Sequence, residues 1–246
     1  MKAVILAAGV ARRLAPLTDY THKALLPVGG RSLLDRMLDG LAANGVDESV
    51  LVVGHWQEQV RRAAGRARGA MRIAYVENPD YRKGSILSLW RARETLLRDS
   101  TLVMDADVLF PDRLLRRLID APAASALLLD RDFHDTGEEV KLYAVGDRIV
   151  ALGKKFVPET WEVVGEGVGF FKCSAAHGPE YLRLLEESIQ ETGGANEYED
   201  ALHRLLARVP VGWVDVTGLP WTEVDFAEDL RRAETQILPR IKSSGP

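Results

Sequence analysis

Two cations and two separated groups of acids carry the chemistry that this sequence can do. Arg13 and Lys23 share one long loop that opens with Leu6-Ala7-Ala8-Gly9. Small side chains there let backbone N–H groups approach an anion closely. Two cations beside such a turn suit a polyphosphate, although Arg12, Arg13 and Lys23 taken singly also read as solvated loop residues. Neither Gly-x-Gly-x-x-Gly nor the P-loop pattern follows the first apolar run, so a dinucleotide fold and a P-loop enzyme are not indicated. Asp105 and Asp107 end the apolar segment 101–108, two positions apart and expected on one face of a strand. A buried strand-end charge is costly unless a cation or hydrogen-bond donors meet it. Glu223-Val224-Asp225 is the second acidic candidate, and for it two readings stand. Asp225 either ligates a metal or forms, with Glu228, an Asp-x-x-Glu capping box.

The elements that position these residues read as an alternation. Residues 3–6 form a strand, 33–44 a helix, 49–53 a strand, 57–67 a helix, 71–76 a strand, 85–98 a helix and 101–104 a strand. Such alternation predicts an α/β fold, Rossmann-like, with a mainly parallel sheet and helices on both faces. Ligands of open α/β sheets bind at the carboxyl ends of the strands, where the glycine loop and Asp105 to Asp107 fall. After Asp112 the regularity weakens. A helix over 113–119 and a strand over 125–129 precede strands over 139–150 and 163–171, where antiparallel pairing is expected. Helices over 179–191, 197–208 and 227–237, with a strand over 211–216, complete the chain. One domain spanning 1–246 is expected: a nucleotide-binding part over about 1–112, an inserted acceptor-binding part over about 113–220, and a C-terminal acid and helix over about 221–241.

Composition narrows the classes. Of 246 residues, 46% are hydrophobic and 28% charged, and the net charge of −4 supplies no general attraction to nucleic acid or anionic lipid. No apolar stretch approaches the roughly 20 residues that span a bilayer, and the start carries no charged leader. With a single cysteine, Cys173, read as a core residue, a reduced cytoplasmic protein is expected, with no nucleic-acid partner and no membrane insertion.

Leu6-Ala7-Ala8-Gly9, Arg13-Leu14, Pro16-Leu17-Thr18, Lys23 and Leu25-Leu26-Pro27-Val28 together resemble the signature of the sugar-phosphate nucleotidyltransferase superfamily. That resemblance implies a GT-A-like nucleotidyltransferase fold, a loop closing over the triphosphate, and Arg13 and Lys23 neutralising the leaving pyrophosphate. Asp107 and Asp225 match the two metal-binding aspartates of the superfamily, which implies Mg2+. Hard oxygen ligands and water suit that ion. Asp105 either assists or hydrogen-bonds to loop backbone. Three positions depart from the signature: Ala11 replaces a glycine, Arg12 a small hydroxyl residue and His22 a proline. His22 could titrate near neutral pH or be an incidental loop histidine.

Asn78-Pro79 with Tyr81, Ser88-Leu89-Trp90, Asp105-Ala106-Asp107 and the segment 221–225 are similar to a cytidylyltransferase subgroup acting on phosphocholine, inositol phosphate or aminoalkylphosphonates. The resemblance implies a nucleoside triphosphate, CTP by preference, and a small phosphorylated or phosphonate acceptor. It places Gly84 and Ser85 beside the nucleobase, although Ser85 also reads as a helix cap. Lys154 is expected to steady the acceptor phosphate or to lie in an exposed Lys-Lys turn. Lys141, Glu166, Tyr198 and Trp221 are further acceptor-site candidates. An aminium acceptor would use Trp161, Tyr198, Trp221, Glu166, Glu197 and Asp200, and a polyol phosphate could use the same groups. A hexose-1-phosphate nucleotidyltransferase using UTP, dTTP or GTP and a non-catalytic nucleotide sensor are the competing readings. Lys23→Ala is expected to impair chemistry more than stability.

Overall fold

Alternating apolar side chains build the central strands, because successive residues of a strand point to opposite faces. In β1 (Lys2–Ala7), Ala3, Ile5 and Ala7 enter one core while Val4 enters the other. The computed structural model describes residues 1–243. After β1 come the hairpin β2 (Pro27–Val28) and β3 (Arg31–Ser32), α1 (Leu33–Ala43), β4 (Glu48–Val53), α2 (Gln57–Ala64), β5 (Ala67–Arg68) and β6 (Met71–Glu77). The chain continues through α3 (Ser85–Arg91), α4 (Arg93–Arg98), β7 (Thr101–Asp105), β8 (Val108–Leu109), α5 (Asp112–Ile119) and β9 (Ala126–Asp130). β10 (Lys141–Val145), β11 (Arg148–Gly153), β12 (Val163–Cys173), α6 (Gly178–Thr192), α7 (Tyr198–Leu206), β13 (Gly212–Asp215) and β14 (Thr222–Glu223) follow. Last come α8 (Ala227–Arg232), a π-helical turn (Ala233–Ile237) and α9 (Leu238–Ser243).

The main sheet has the order β10-β11-β13-β9-β12-β7-β1-β4-β6-β5. Its N-terminal half, β7-β1-β4-β6, is parallel, and β9 pairs parallel with β13. The long strand β12 runs antiparallel to both β7 and β9 and so joins the halves. Helices cover both faces, as the alternation predicts. Leu34, Met37 and Leu38 of α1, Val60 of α2 and Leu114, Leu115 and Leu118 of α5 pack with Ile5. Ile86 and Leu89 of α3, Leu96 of α4, Tyr181 and Leu185 of α6 and Leu202 and Leu205 of α7 pack with Val4.

Several expected elements differ in their bounds. The strand expected over 139–150 is the β10–β11 hairpin, turned by Gly146 at φ +56°. The helix expected over 85–98 is two helices, because an Ala92 N–H bond to the Leu89 carbonyl tightens the backbone between them. The helix expected over 57–67 stops at Ala64, where Gly65 adopts φ +71°. Cys173 is buried, as expected, and burial pushes its thiol up to about 12. Among the described residues no helix is long and apolar enough to cross a membrane.

Candidate active site

The glycine loop is held by one apolar anchor and one hydroxyl. A 3-10 turn over Arg12–Leu14 drives Leu14 into a separate cluster with Leu26, Val28, Leu33, Leu109, Val224 and Ile237. Thr18 Oγ1 donates to the Ala11 carbonyl at 3.1 Å. Pro16 and Leu17 of the same signature are exposed. Ala11, at the position where a glycine was expected, adopts φ +54°. His22 takes on a local structural role: its Nδ1 accepts from the Ala24 N–H at 3.1 Å, capping the turn Lys23–Leu25. Burial lowers its imidazole to about 4, with His55 and Lys23 adding, so it does not titrate near neutral pH.

A two-rung ribbon assembles the acids. β7 ends at Asp105, and Ala106 and Asp107 form a turn, so Asp105 and Asp107 do not share one strand face as expected. β8 then pairs antiparallel with β14, Val108 opposite Glu223, and the Val224 N–H donates to the Asp107 carbonyl at 3.1 Å. Asp225 is thereby delivered to Asp107. Lys23 Nζ lies 2.6 Å from Asp107 Oδ2 and bonds to Asp225 Oδ1 as well. Arg13 Nη2 is 2.5 Å from Asp225 Oδ2, and Nη1 is 3.1 Å from Glu138 Oε2. Burial alone would lower the Lys23 ammonium, but the Asp107 and Asp225 charges outweigh it and hold the group well above its ordinary value. The capping reading of Asp225 is corrected here: the helix N-cap is Phe226, and the part expected of Glu228 is taken by Asp229. Its carboxylate accepts from the Asp225 and Phe226 N–H groups at 3.0 and 2.8 Å, leaving the Asp225 side chain free to face the cations.

The donor set fits a hard divalent cation. Carboxylate oxygens of Asp107, Glu223 and Asp225 lie within 4.8 Å of one another, and Asp107 Oδ1 is sealed from solvent without a hydrogen-bond partner. Glu223 is exposed along part of its surface, yet the protein around its carboxyl, together with the Asp107 and Asp225 charges, raises it above the ordinary carboxylate range. A cation would relieve all three groups. Asp105 stands apart. It accepts from the Tyr198 hydroxyl at 2.9 Å rather than from loop backbone, and burial followed by the Glu199 and Asp107 charges raises its carboxyl. Gly169, at φ +77°, leaves the room: a Cβ there would sit 2.6 Å from Asp105 Oδ2.

These groups open onto a cleft of about 570 Å³ lined by both halves of the sheet. Leu6, Ala8, Gly9, Arg13, Lys23, Gly84, Ser85, Asp105, Asp107, Lys154, Glu166, Tyr198 and Asp225 all line it. Three sequence candidates do not. Ala7 points into the core, Lys141 Nζ is held by Asp135 at 2.8 Å, and Trp221 Nε1 donates to Asp130 Oδ2 at 2.7 Å. Lys154 stands 3.6 Å from Glu138, the acid that also meets Arg13. Ser85 caps α7, not its own helix: its Oγ accepts from the Tyr198 N–H at 3.0 Å, while its N–H donates to Glu197. Gly84 fits against the Asn196 carbonyl, which a Cβ would meet at 1.8 Å.

Residues 3–162 match the model of the MobA-like NTP transferase domain. The chain belongs to this family. Over 97% of its length it is 33% identical to a CMP-5'-(3-aminopropyl)phosphonate synthase of Streptomyces rubellomurinus, of which it spans 39%. It is 33% identical over 96% of its length to a bifunctional IPC transferase and DIPP synthase of Rubrobacter xylanophilus, of which it spans 52%. A 2-aminoethylphosphonate cytidylyltransferase of Lancefieldella rimae is 27% identical over 93% of the chain and 89% of its own length. Among solved structures, the inositol-1-phosphate CTP transferase from T. maritima superposes with a TM-score of 0.79 at 22% identity, covering 98% of this chain and 96% of that one. That likeness shows the fold: a mixed α/β nucleotidyltransferase sheet.

Within this NTP transferase domain, sequence reasoning passed over Glu138 and Glu199, and it named Glu223 only as part of a segment without giving it a role. Glu138 bridges Arg13 and Lys154, Glu223 completes the oxygen cluster, and Glu199 follows Tyr198 in the first turn of α7. Glu223 was within reach, since it flanks Asp225 in a segment already singled out. The other two acquire their places through pairings between distant segments, for which sequence spacing carries no signal.

Proposed function

We propose that this domain is a Mg2+-dependent cytidylyltransferase that joins CMP, from CTP, to a small phosphonate or phosphate and releases pyrophosphate. The convergence of Lys23 and Arg13 on Asp107 and Asp225 carries the reading, because it places two cations and a cluster of hard oxygens at one end of the glycine loop. The names of the relatives favour CTP and a phosphonate or phosphate acceptor. An acceptor oxygen attacks the α-phosphorus, a new P–O bond forms, and the bond to the β-phosphate breaks. The acceptor is already anionic, so no side chain need act as a nucleophile, and positioning with charge neutralisation supplies the acceleration.

Each cation has a task in this scheme. Arg13 and Lys23 neutralise the departing pyrophosphate, and Lys154, which shares Glu138 with Arg13, steadies the acceptor anion. Asp107, Glu223 and Asp225 would hold Mg2+, which supplies positive charge to the phosphate oxygens when bound. Asp105 holds the Tyr198 hydroxyl, and Gly84 and Ser85 border the nucleobase. A screen of pyrophosphate release tests the scheme, with Mg2+, each nucleoside triphosphate, and phosphonates, phosphocholine, inositol phosphate and hexose 1-phosphates as acceptors. Release with CTP and a phosphonate or small phosphate is expected, and addition of EDTA should abolish it. Release only from UTP, dTTP or GTP with a hexose 1-phosphate would replace this reading. Release from no pair would reject it.

A further inference from the structure

Glu199 is an acid that has no part in the chemistry above. Glu199 lines the cleft, and its Oε2 is shut off from solvent without a hydrogen-bond partner. Its neighbours are already engaged: Glu197 accepts from the Ser85 N–H, and Asp105 accepts from the Tyr198 hydroxyl. A buried acceptor left unmade is costly, so such a group in a ligand cleft implies a donor brought by the ligand.

The surroundings specify that donor. Leu202, one turn further along α7, and Leu152, on the strand against which α7 packs, both line the cleft, as do Leu127 and Leu142. Lys154 follows two residues after Leu152, and its charge reaches Glu199. An anion on Lys154 and a donor on Glu199 would therefore lie at two ends of an apolar stretch. Alkyl carbons suit that stretch. A polyol would turn hydroxyls toward leucine side chains that cannot pair with them. A trimethylammonium group has no N–H to give Oε2 and would leave that oxygen unpaired.

We propose that Glu199 binds a primary ammonium at the far end of the acceptor, making the acceptor an aminoalkyl phosphonate or phosphate. The assignment rests on the cytidylyltransferase reading and adds the acceptor class and the residue that selects it. Burial, with the Glu197 and Asp200 charges adding, raises the Glu199 carboxyl above its ordinary value. An arriving ammonium offsets both effects and pairs the orphaned oxygen.

The test uses the 246-residue chain with CTP and Mg2+ and compares 2-aminoethylphosphonate with propylphosphonate, which has a methyl group where the other has its ammonium. The wild-type chain is expected to favour the amine by at least about tenfold in kcat/KM. In Glu199→Gln that ratio should fall by about 10- to 100-fold, chiefly through KM for the amine, and Glu199→Asp should restore part of it. Wild-type turnover that favours inositol phosphate or phosphocholine, or that ignores the amine, overturns the proposal without needing any variant. So does a Glu199→Gln chain that turns over the phosphonate with an unchanged ratio. Absence of pyrophosphate from CTP with every acceptor would instead reject the underlying reading, and this inference with it.

Discussion

Lys23 is held between two carboxylates in a largely buried setting, 2.6 Å from Asp107 and bonded to Asp225. Its removal would do more than subtract a catalytic charge. Asp107 would be left facing Asp225 with Arg13, on Asp225, as the remaining counter-ion, and stripping a buried carboxylate of its partner typically costs about 3 kcal/mol. Lys23→Ala is therefore predicted to destabilise the fold as well as impair chemistry, revising the expectation drawn from the sequence. Mg2+ should raise the unfolding midpoint of this variant more than that of the wild type, as differential scanning fluorimetry can read. Equal shifts would separate the acids from any cation. Glu166 makes a different residue-level prediction. Burial, with the Glu139 and Asp130 charges adding, lifts its carboxyl from 4.5 to about 7. Between those values the native chain keeps a proton that the unfolded chain has lost, so stability falls as pH rises through the window. Glu166→Gln lacks that penalty. Its unfolding midpoint should exceed the wild type's at pH 8, and the advantage should vanish near pH 4.

Individual elements place those residues, and the glycine loop depends on Leu14. With 1% of its surface exposed, Leu14 joins the loop to Leu109, Val224 and Ile237, residues of or beside the elements that carry Asp107 and Asp225. Leu14→Ala should lower the unfolding free energy by about 2–4 kcal/mol. Because the lost contact holds Arg13 in place, CTP affinity should fall too, measurable by calorimetry on the still-folded variant. Unchanged CTP affinity would show that the loop is positioned by other contacts. The parallel elements were legible because strands such as β4 are unbroken apolar runs, as a sheet covered on both faces requires, and helices such as α1 repeat their apolar residues over enough positions to show a period. The β8–β14 ribbon was not, since two-residue strands have no period, and it is this ribbon that carries Asp225 to Asp107. Asp225's capping appearance was similarly misleading. The sequence offers both Glu228 and Asp229, and only the backbone geometry after Asp225 selects Asp229.

At the scale of the whole molecule, every group in the proposed mechanism comes from this one chain. The N-terminal half brings the loop cations and Asp107, the later half brings Lys154 and Tyr198, and the ribbon brings Glu223 and Asp225. The halves interlock where Ser85 exchanges hydrogen bonds with Glu197 and Tyr198. Although the chain spans 39% and 52% of two of its relatives, its own cleft gathers every residue that the proposed reading uses for nucleotide, metal and acceptor. The 246-residue chain should accordingly be active by itself. The most direct measurement is pyrophosphate release from CTP and an aminoalkylphosphonate with Mg2+, run beside Asp107→Asn. The wild type should release pyrophosphate. The variant should lose about 100-fold or more in kcat/KM while its unfolding midpoint moves by no more than about 4 °C. Equal rates in the two proteins would contradict the account.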